Sequence, residues 1–293
     1  MTLNIAQLFT HENLANLGEK KAARNDALFP VEKAPFTSVM PDGTVVGDKK
    51  RCIIYRTDTN AIVGIHGADY KLVTNAEVFG AFEEAIERSR LDTTDMIITD
   101  QTCELGGMVQ RVYRFPGHVA EPKVGDITEM QLLLRNSYNG GWSMGWDFQG
   151  NRLACTNGMV LADGISSSRR KHTSGLDIAT QIKKLNSAIE VFANSTKDWS
   201  RWVDKQVTDE EAMSVFRHLN PSERFKADIE LYWMRHKEEM GSTLWALYNT
   251  MTWWSSHQKV RPSSQDNLPA IVQDREAKVL SAMRTKDFQL LAA

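Results

Sequence analysis

The sequence predicts an α+β fold, with an antiparallel sheet and a packed helix in the N-terminal half and an all-helical C-terminal half. Two observations carry this prediction. Between about residues 43 and 160 apolar residues mostly alternate with polar ones, which is the period of strands. Beyond residue 176 they recur every three or four residues, which is the period of helices. We therefore predict an α+β domain over residues 1–165 and a helical domain over 176–293, with 162–175 as a basic, Ser-rich linker or loop.

The N-terminal half begins with a predicted hairpin, RCIIYRT (51–57) and AIVGIHG (61–67), joined by a turn-forming Asp-Thr-Asn. Asn75 is then placed to cap a helix, because Val78, Phe82 and their apolar neighbours share one helical face. Further strands are predicted in DMIITD, GGMVQRVYRF and ITEMQLLLRNS. A hairpin, a helix and a run of strands in this order are typical of an α+β domain.

The C-terminal half contains five predicted helical segments, of which the last is LPAIVQDREAKVLSAMRT after Pro262. An apolar stripe over residues 178–203 continues through roughly seven turns and suits a helix packed along another helix. Thr208, followed by three acidic residues, is placed to cap the next helix. Ser222 begins a third, which Gly241 ends. The segment TLWALYNTMTWWSSH has its rings at helical spacing, which indicates a core or oligomer contact.

Composition limits the possible functions. The chain has 35 basic and 37 acidic residues, so a polyanion would have to be met by a local basic patch. Three cysteines lie about fifty residues apart, which fits reduced thiols rather than a disulfide framework or a zinc site. Phosphate-binding loops, a nucleophile elbow and zinc-binding helices have no match, so we expect neither enzymatic activity nor a cofactor. We expect a cytoplasmic protein without a membrane span.

The central segment, residues 135–159, combines aromatic rings, arginines, asparagines and glycines. An Asn-Gly-Gly turn would bring Tyr138 and Trp142 to a surface. Single-stranded nucleic acid is bound in this way, because bases stack on rings while cations neutralise phosphates. The candidate binding residues are Arg135, Asn136, Tyr138, Asn139, Trp142, Arg152, Asn157, Arg169, Arg170 and Lys171. Two alternatives stay open: the rings belong to a strand core, and the basic cluster is a solvated loop.

A weaker pattern is typical of magnesium-dependent nucleases. Pro41-Asp42 followed by Asp48 and Lys50 could supply two metal-binding carboxylates and a lysine that orients water. The two elements are close together, however, and Pro-Asp-Gly is itself a strong turn signal. A solvated turn between strands is the preferred interpretation.

The segment 132–159, together with TLWALYNTMTWWSSH, resembles the phage and plasmid family called domain of unknown function 932. The upstream GADYKLVTNAEVF is also similar to that family, so the resemblance covers roughly residues 45–260. It implies a mobile-element setting rather than a reaction. The residues that carry it are Asn136 to Gly140, Arg152, Cys155, Asn157, Trp245 and Asn249.

The order of elements is also similar to that of the single-strand annealing recombinases, in architecture alone. Those proteins form oligomers that hold one strand extended in a basic groove. The preferred function is therefore a non-enzymatic phage or plasmid DNA-metabolism protein that binds single-stranded DNA, anneals complementary strands and forms a homo-oligomer. The alternative is an anti-defence or anti-restriction protein that binds a host protein through the same segment, since Tyr and Trp are also favoured at protein interfaces.

Overall fold

The computed structural model describes residues 27–89, 91–154, 157–161, 167–170 and 185–293. It confirms the predicted α+β class. Two antiparallel sheets lie in the N-terminal half, and six of the seven α-helices in these described ranges follow the last strand. None of the helices in the described ranges is long and apolar enough to cross a membrane.

The first sheet contains β1 (Val31–Val39), β2 (Val45–Arg56) and β3 (Ile62–Gly67), paired in that order. The predicted hairpin is confirmed as the end of β2 and β3. The rest of β2 and the end of β1 extend beyond β3 as a hairpin arm, residues 37–51, in which every residue is exposed. We call this segment the arm.

One helix follows the first sheet in the chain. α1 (Asn75–Glu87) buries the predicted apolar face. Its N-cap is Thr74 rather than the predicted Asn75, because Thr74 and Glu77 form a reciprocal capping box. The Asn75 side chain instead donates to the Ala27 carbonyl oxygen at 2.7 Å, inside the core.

The six-stranded sheet holds the centre of the molecule. Its main path runs β4-β5-β6-β7-β8, and β9 pairs with the other end of β7. The strands are β4 (Ile97–Cys103), β5 (Met108–Ala120), β6 (Thr128–Ser137), β7 (Met144–Arg152), β8 (Asn157–Val160) and β9 (Ser167–Arg170). Every residue of β6 is buried, so both faces of this strand are covered. Leu132 and Leu134 of β6 share the apolar face with Phe148 and Trp146 of β7.

The remaining helices follow the last strand. They are α2 (Leu185–Trp202), α3 (Asp209–Arg217), α4 (Glu223–Met240), α5 (Leu244–His257), α6 (Leu268–Met283) and α7 (Lys286–Ala292). The predicted caps are confirmed: Thr208 forms a capping box with Glu211, and Gly241 ends α4 with φ +87°. Residues 178–184 of the predicted stripe lie outside the described residues.

The tryptophan-rich helix α5 packs in the core, as its spacing predicted. Trp245 and Tyr248 are fully buried. The Trp245 indole donates to Asp126 Oδ2 at 2.9 Å, and the Tyr248 hydroxyl donates to the Val160 carbonyl oxygen at 2.6 Å. A single hydrophobic core thus contains residues of both predicted domains. The domain boundary at 162–175 stays a prediction.

Candidate functional site

The second face of the six-stranded sheet is polar, and its side chains stand in rows across the strands. One row runs through the cross-strand partners Gln101, Gln110, Arg135, Gly145 and Arg169. A second row runs through Arg114, Gln131 and Gln149. Successive strand residues point to opposite faces, so these polar residues of β5, β6 and β7 share one face, on which Val112 and Leu133 lie between the two rows. We call it the polar face.

The first row is a continuous chain of hydrogen bonds. The Gln110 amide donates to Gln101 Oε1 at 2.8 Å, and Arg135 Nε donates to Gln110 Oε1 at 2.5 Å. Gly145 contributes no side chain, so Asp147 of the same strand face reaches between the two arginines. Arg135 and Arg169 both donate to Asp147 Oδ2. Side chains from five strands are therefore joined in one network, which fixes their relative register.

Helix α6 covers part of the polar face and adds a buried carboxylate. Glu276 is 6% exposed, and its Oε2 lies 3.6 Å from an Arg135 guanidinium nitrogen. Burial raises the pKa of Glu276 to about 7, while Arg135 and the Gln149 side chain counteract the rise. The carboxyl group therefore changes charge near neutral pH, as functional carboxyl groups in clefts often do.

Two cavities open between α6 and the polar face. The first is about 250 Å³, and Asp147, Gln149 and Glu276 form its polar wall. The second is about 440 Å³, and Trp142 lies in its lining. Both cavities are lined by Arg169 and Gln273, so they adjoin at these side chains. We call the two cavities together the cleft.

The predicted Asn-Gly-Gly turn is present, with φ +78° at Gly140, but it does not bring the rings to a surface. Tyr138 is fully buried, and its hydroxyl accepts from the Asn75 backbone at 2.7 Å. Trp142 is buried beside Cys103 and Met108. The Tyr138 ring has no open face for a base to stack on, and Trp142 is 8% exposed at the lining of the second cavity. Of the two interpretations left open by the sequence, core packing describes their positions.

The predicted polar residues of the central segment also have internal partners. Asn136 donates to Asn75 Oδ1 at 2.8 Å, and Asn139 donates to Glu104 at 2.5 Å. Arg152 donates to Asp126 at 2.5 Å, and Asn157 donates to Thr252 at 2.7 Å. Asn136, Arg152 and Asn157 are buried and join strands to other elements, whereas Asn139 is half-buried at the surface. Arg135, which is 1% exposed, is bound in the polar face in the same way.

The basic cluster is divided between described and undescribed positions. Arg169 lies in β9 and is partly exposed at the cleft, where it donates to the Trp146 carbonyl oxygen at 3.0 Å. The Arg170 side chain and the whole of Lys171 lie outside the described residues. The structure thus brings Arg135 and Arg169 together at one carboxylate, and the role of the cluster in binding stays a prediction.

The nuclease-like residues lie in the arm. The Asp42 carboxylate accepts from the Thr44 backbone at 2.9 Å, and Asp48 accepts from the Lys50 backbone at 2.8 Å. The hydrogen bonds from Thr44 lower the pKa of Asp42. Both carboxylates are exposed and bonded locally, Asp42 in the turn of the arm and Asp48 within β2 where the pairing with β1 is irregular. Over the described ranges, no group of three or more His, Cys, Asp or Glu residues is placed to hold a metal ion.

The chain matches a known protein family over most of its length. A family model described as Domain of unknown function (DUF932) matches residues 63–283, a range that contains the whole polar face and the cleft. The chain belongs to the DUF932 family. No curated protein and no solved structure matches the chain. The similarity to annealing recombinases, expected from the order of elements, is therefore not supported by these comparisons.

Several residues of the cleft of this DUF932 protein were missed in the sequence. A usable signal exists for the strands, because Gln110 and Arg114 in β5, and Gln131 and Arg135 in β6, are four residues apart and so share one strand face. No local signal marks Glu276, because it reaches the polar face from a helix far along the chain. The missed residues are Gln101, Gln110, Asp147, Gln149 and Glu276.

The Glu276 carboxyl group makes a testable contribution to stability. Its pKa is about 7 in the folded DUF932 protein against an ordinary value of 4.5, so between these values the folded state keeps a proton that the unfolded state loses. The stability contribution of Glu276 therefore falls as pH rises through that window. His236 has the opposite effect, because burial lowers its pKa to about 3 and favours unfolding as pH falls. Comparing variants distinguishes the effect of Glu276 on the pH dependence of stability from that of His236.

We expect Glu276→Gln to gain stability relative to the wild type as pH rises, by up to about 3 kcal/mol between roughly pH 5 and pH 8. Urea denaturation of both proteins at each pH measures the difference. The exposed Glu84→Gln variant is the control, and its difference from the wild type should stay within about 0.5 kcal/mol. If the difference in unfolding free energy between Glu276→Gln and the wild type did not change with pH, the raised pKa of Glu276 would be contradicted.

Proposed function

We propose that this DUF932 protein is a non-enzymatic single-stranded DNA-binding protein, and that the strand lies on the outer face of the three-stranded sheet and on the arm. The observation that carries the proposal is an open surface on which apolar and aromatic side chains adjoin exposed cations. Bases can stack or pack on such a surface while the cations contact phosphates.

The outer face of this sheet is defined by strand alternation. In β2, Cys52 and Ile54 are buried towards the core, so Ile53 and Tyr55 point to the opposite face. Their neighbours in β3 are exposed: Ile62 by 54% and Ile65 by 51%. Apolar strand residues at this exposure, grouped on one face, are typical of a binding surface rather than of isolated surface residues.

The same strand supplies the positive charge. Lys49, Lys50 and Arg51 are consecutive and exposed, directly beside the outer face. Arg51 lies 3.6 Å from Asp48 in an ion pair that is open to solvent, and such pairs are weak. The arginines of the central segment differ, because Arg135 and Arg152 are buried against carboxylates. Cations in water can exchange their counterions for phosphates, which favours the arm as the contact.

A strand held on an open sheet face keeps its bases within reach of a complementary strand. Annealing of complementary strands is therefore the activity that we associate with this surface, in keeping with the mobile-element setting that the family resemblance implies. Self-association of the protein along a strand would extend the surface.

A second candidate is a host-protein partner, such as a component of a defence system. The tip of the arm favours it, because Val39, Met40, Val45 and Val46 are exposed apolar residues on a hairpin. Binding through these residues would depend little on salt, whereas binding to phosphates weakens steeply as salt rises.

The test is the salt dependence of strand binding in a triple variant, Lys49→Ala, Lys50→Ala and Arg51→Ala. We expect affinity for a single-stranded oligonucleotide at low salt to fall about tenfold or more, and the slope of log affinity against log salt to flatten by about 2. Fluorescence anisotropy measures both quantities. The matched control replaces Lys278, Arg284 and Lys286 by alanine, since these are also three exposed cations. Equal effects of the two triple variants would reject the arm as the contact.

A further inference from the structure

We propose that the cleft between the polar face and α6 is a binding site for a guanine base, with Glu276 and Arg169 reading its hydrogen-bonding edge. This inference goes beyond strand binding on the outer face, because it concerns a different surface and different residues. It would hold for a free nucleoside or nucleotide and for a guanine of a bound strand.

The two carboxylates of the cleft differ in how far their oxygens are engaged by protein donors. Asp147 Oδ2 already accepts from both Arg135 and Arg169, so this oxygen is committed within the protein. Glu276 is held less tightly, because its contact to Arg135 is 3.6 Å, longer than a normal hydrogen bond. The Gln149 side chain lines the same cavity and counteracts the rise in the pKa of Glu276. The Glu276 carboxylate therefore has acceptor capacity for a ligand donor.

The carboxylate of Glu276 and the guanidinium of Arg169 are complementary to the hydrogen-bonding edge of guanine. A guanine base presents two adjacent N–H donors and a carbonyl oxygen on one edge. A carboxylate can accept both donors, and a neighbouring guanidinium can donate to the carbonyl oxygen. Glu276 and Arg169 line the same cavity and supply these two groups. Arg169 already donates to Asp147 Oδ2 and to the Trp146 carbonyl oxygen, so a bound base would take over one of its present hydrogen bonds. A simple cation fits less well, because Arg169 would repel it, and a simple anion would be repelled by Glu276.

The cleft has apolar walls beside its polar groups and an adjoining second cavity. Val160, Leu161 and Leu280 line the first cavity beside the polar groups, so a flat base would have apolar walls for its faces. The adjoining cavity, lined by Trp142, Ser143 and Asp274, gives room for a sugar. The two cavities adjoin at Arg169.

Binding should also depend on pH, because only the charged form of Glu276 accepts both donors. The charged and titratable groups around it are Arg135 on β6, Asp147 on β7, Arg169 on β9, Tyr248 on α5 and Asp274 on α6. Burial raises the pKa of Glu276 to about 7, so affinity for guanosine should fall as pH decreases below that value. The fall approaches about tenfold per pH unit.

The experiment is calorimetric titration of the full chain with guanosine, inosine and adenosine at about pH 8, where Glu276 is ionised. Inosine lacks the exocyclic amine and adenosine lacks the paired donors, so we expect each to bind at least about tenfold more weakly than guanosine. Glu276→Gln should weaken guanosine binding about tenfold or more. Glu129→Gln should leave it unchanged, because Glu129 is buried on the same face but pairs with Arg114 instead. Equal binding of the three nucleosides, or equal binding by Glu276→Gln, would overturn the proposal.

The source of the base is decided by two further titrations, one with guanosine monophosphate and one with oligonucleotides that do or do not contain dG. Binding of guanosine monophosphate that Glu276→Gln weakens, with no preference for dG in the oligonucleotides, supports a free nucleoside or nucleotide site. A preference for dG in the oligonucleotide that is lost in Glu276→Gln supports a base of a strand. The triple variant of Lys49, Lys50 and Arg51 should bind guanosine as the wild type does, so failure of the arm proposal and failure of this one are distinguishable. If neither titration shows saturable binding, the proposal is wrong.

Discussion

Replacing Arg135 by methionine should lower the free energy of unfolding by about 3–5 kcal/mol, as expected when one partner of a buried ionic network is removed. The guanidinium is 1% exposed and donates to Gln110 and to Asp147. Its loss leaves the half-buried Asp147 and the buried Glu276 with less positive charge nearby. Urea denaturation at about pH 8, where Glu276 is ionised, measures the effect.

Two comparisons make this result specific. Arg88→Met removes an arginine that is 76% exposed in its ion pair with Glu84, so it should cost no more than about 0.5 kcal/mol. Adding Glu276→Gln to Arg135→Met should recover part of the loss, because one of the uncompensated charges is then removed. An Arg135→Met variant as stable as Arg88→Met would show that the polar face is not a connected network.

Replacing Gly64 by alanine should cost about 3 kcal/mol or more, at the upper end of the range for overpacking. A Cβ at this position would lie 1.8 Å from the Tyr138 carbonyl oxygen, which belongs to backbone and cannot rotate away. The neighbouring His66 Nε2 is 2.6 Å from the same oxygen, so β3 packs directly on the chain that leaves β6. The substitution would separate the three-stranded sheet from the rest of the fold.

Gly80→Ala is the matched control. Gly80 lies inside α1, and a Cβ there would meet no atom within 4 Å. Alanine is the better helix former, so this variant should gain about 0.5–1 kcal/mol. Thermal or urea unfolding of both variants checks the pair of expectations. If both variants lost similar stability, or if Gly64→Ala lost none, the described packing of the two sheets would be contradicted.

Local patterns in the sequence predicted much of the fold. The β2–β3 hairpin, the buried face of α1 and the cap at Thr208 each depend on neighbouring residues, so alternation, helical spacing and capping chemistry were enough. The cap of α1 was misplaced by one residue, because Thr74 and Asn75 are both good capping residues and only tertiary contacts draw Asn75 into the core.

The central segment shows why composition was ambiguous. Rings next to glycines occur at ligand-binding surfaces, but they also occur where large rings are buried and need small neighbours. Gly150 is an example, because a Cβ there would lie 2.8 Å from the ring of Trp199. The polar face was not predictable as a site, since its residues are brought together by strand register and by a distant helix. The spacing of residues in the sequence does not specify the strand register or the position of the distant helix.

The most direct test of the proposed function is fluorescence anisotropy of labelled single-stranded and double-stranded oligonucleotides, titrated with the wild-type protein at low and at moderate salt. We expect tight binding of the single strand at low salt, weaker binding of the duplex, and a steep loss of affinity as salt rises. The absence of single-strand binding at low salt would contradict the proposal and would favour a protein partner at the apolar tip of the arm.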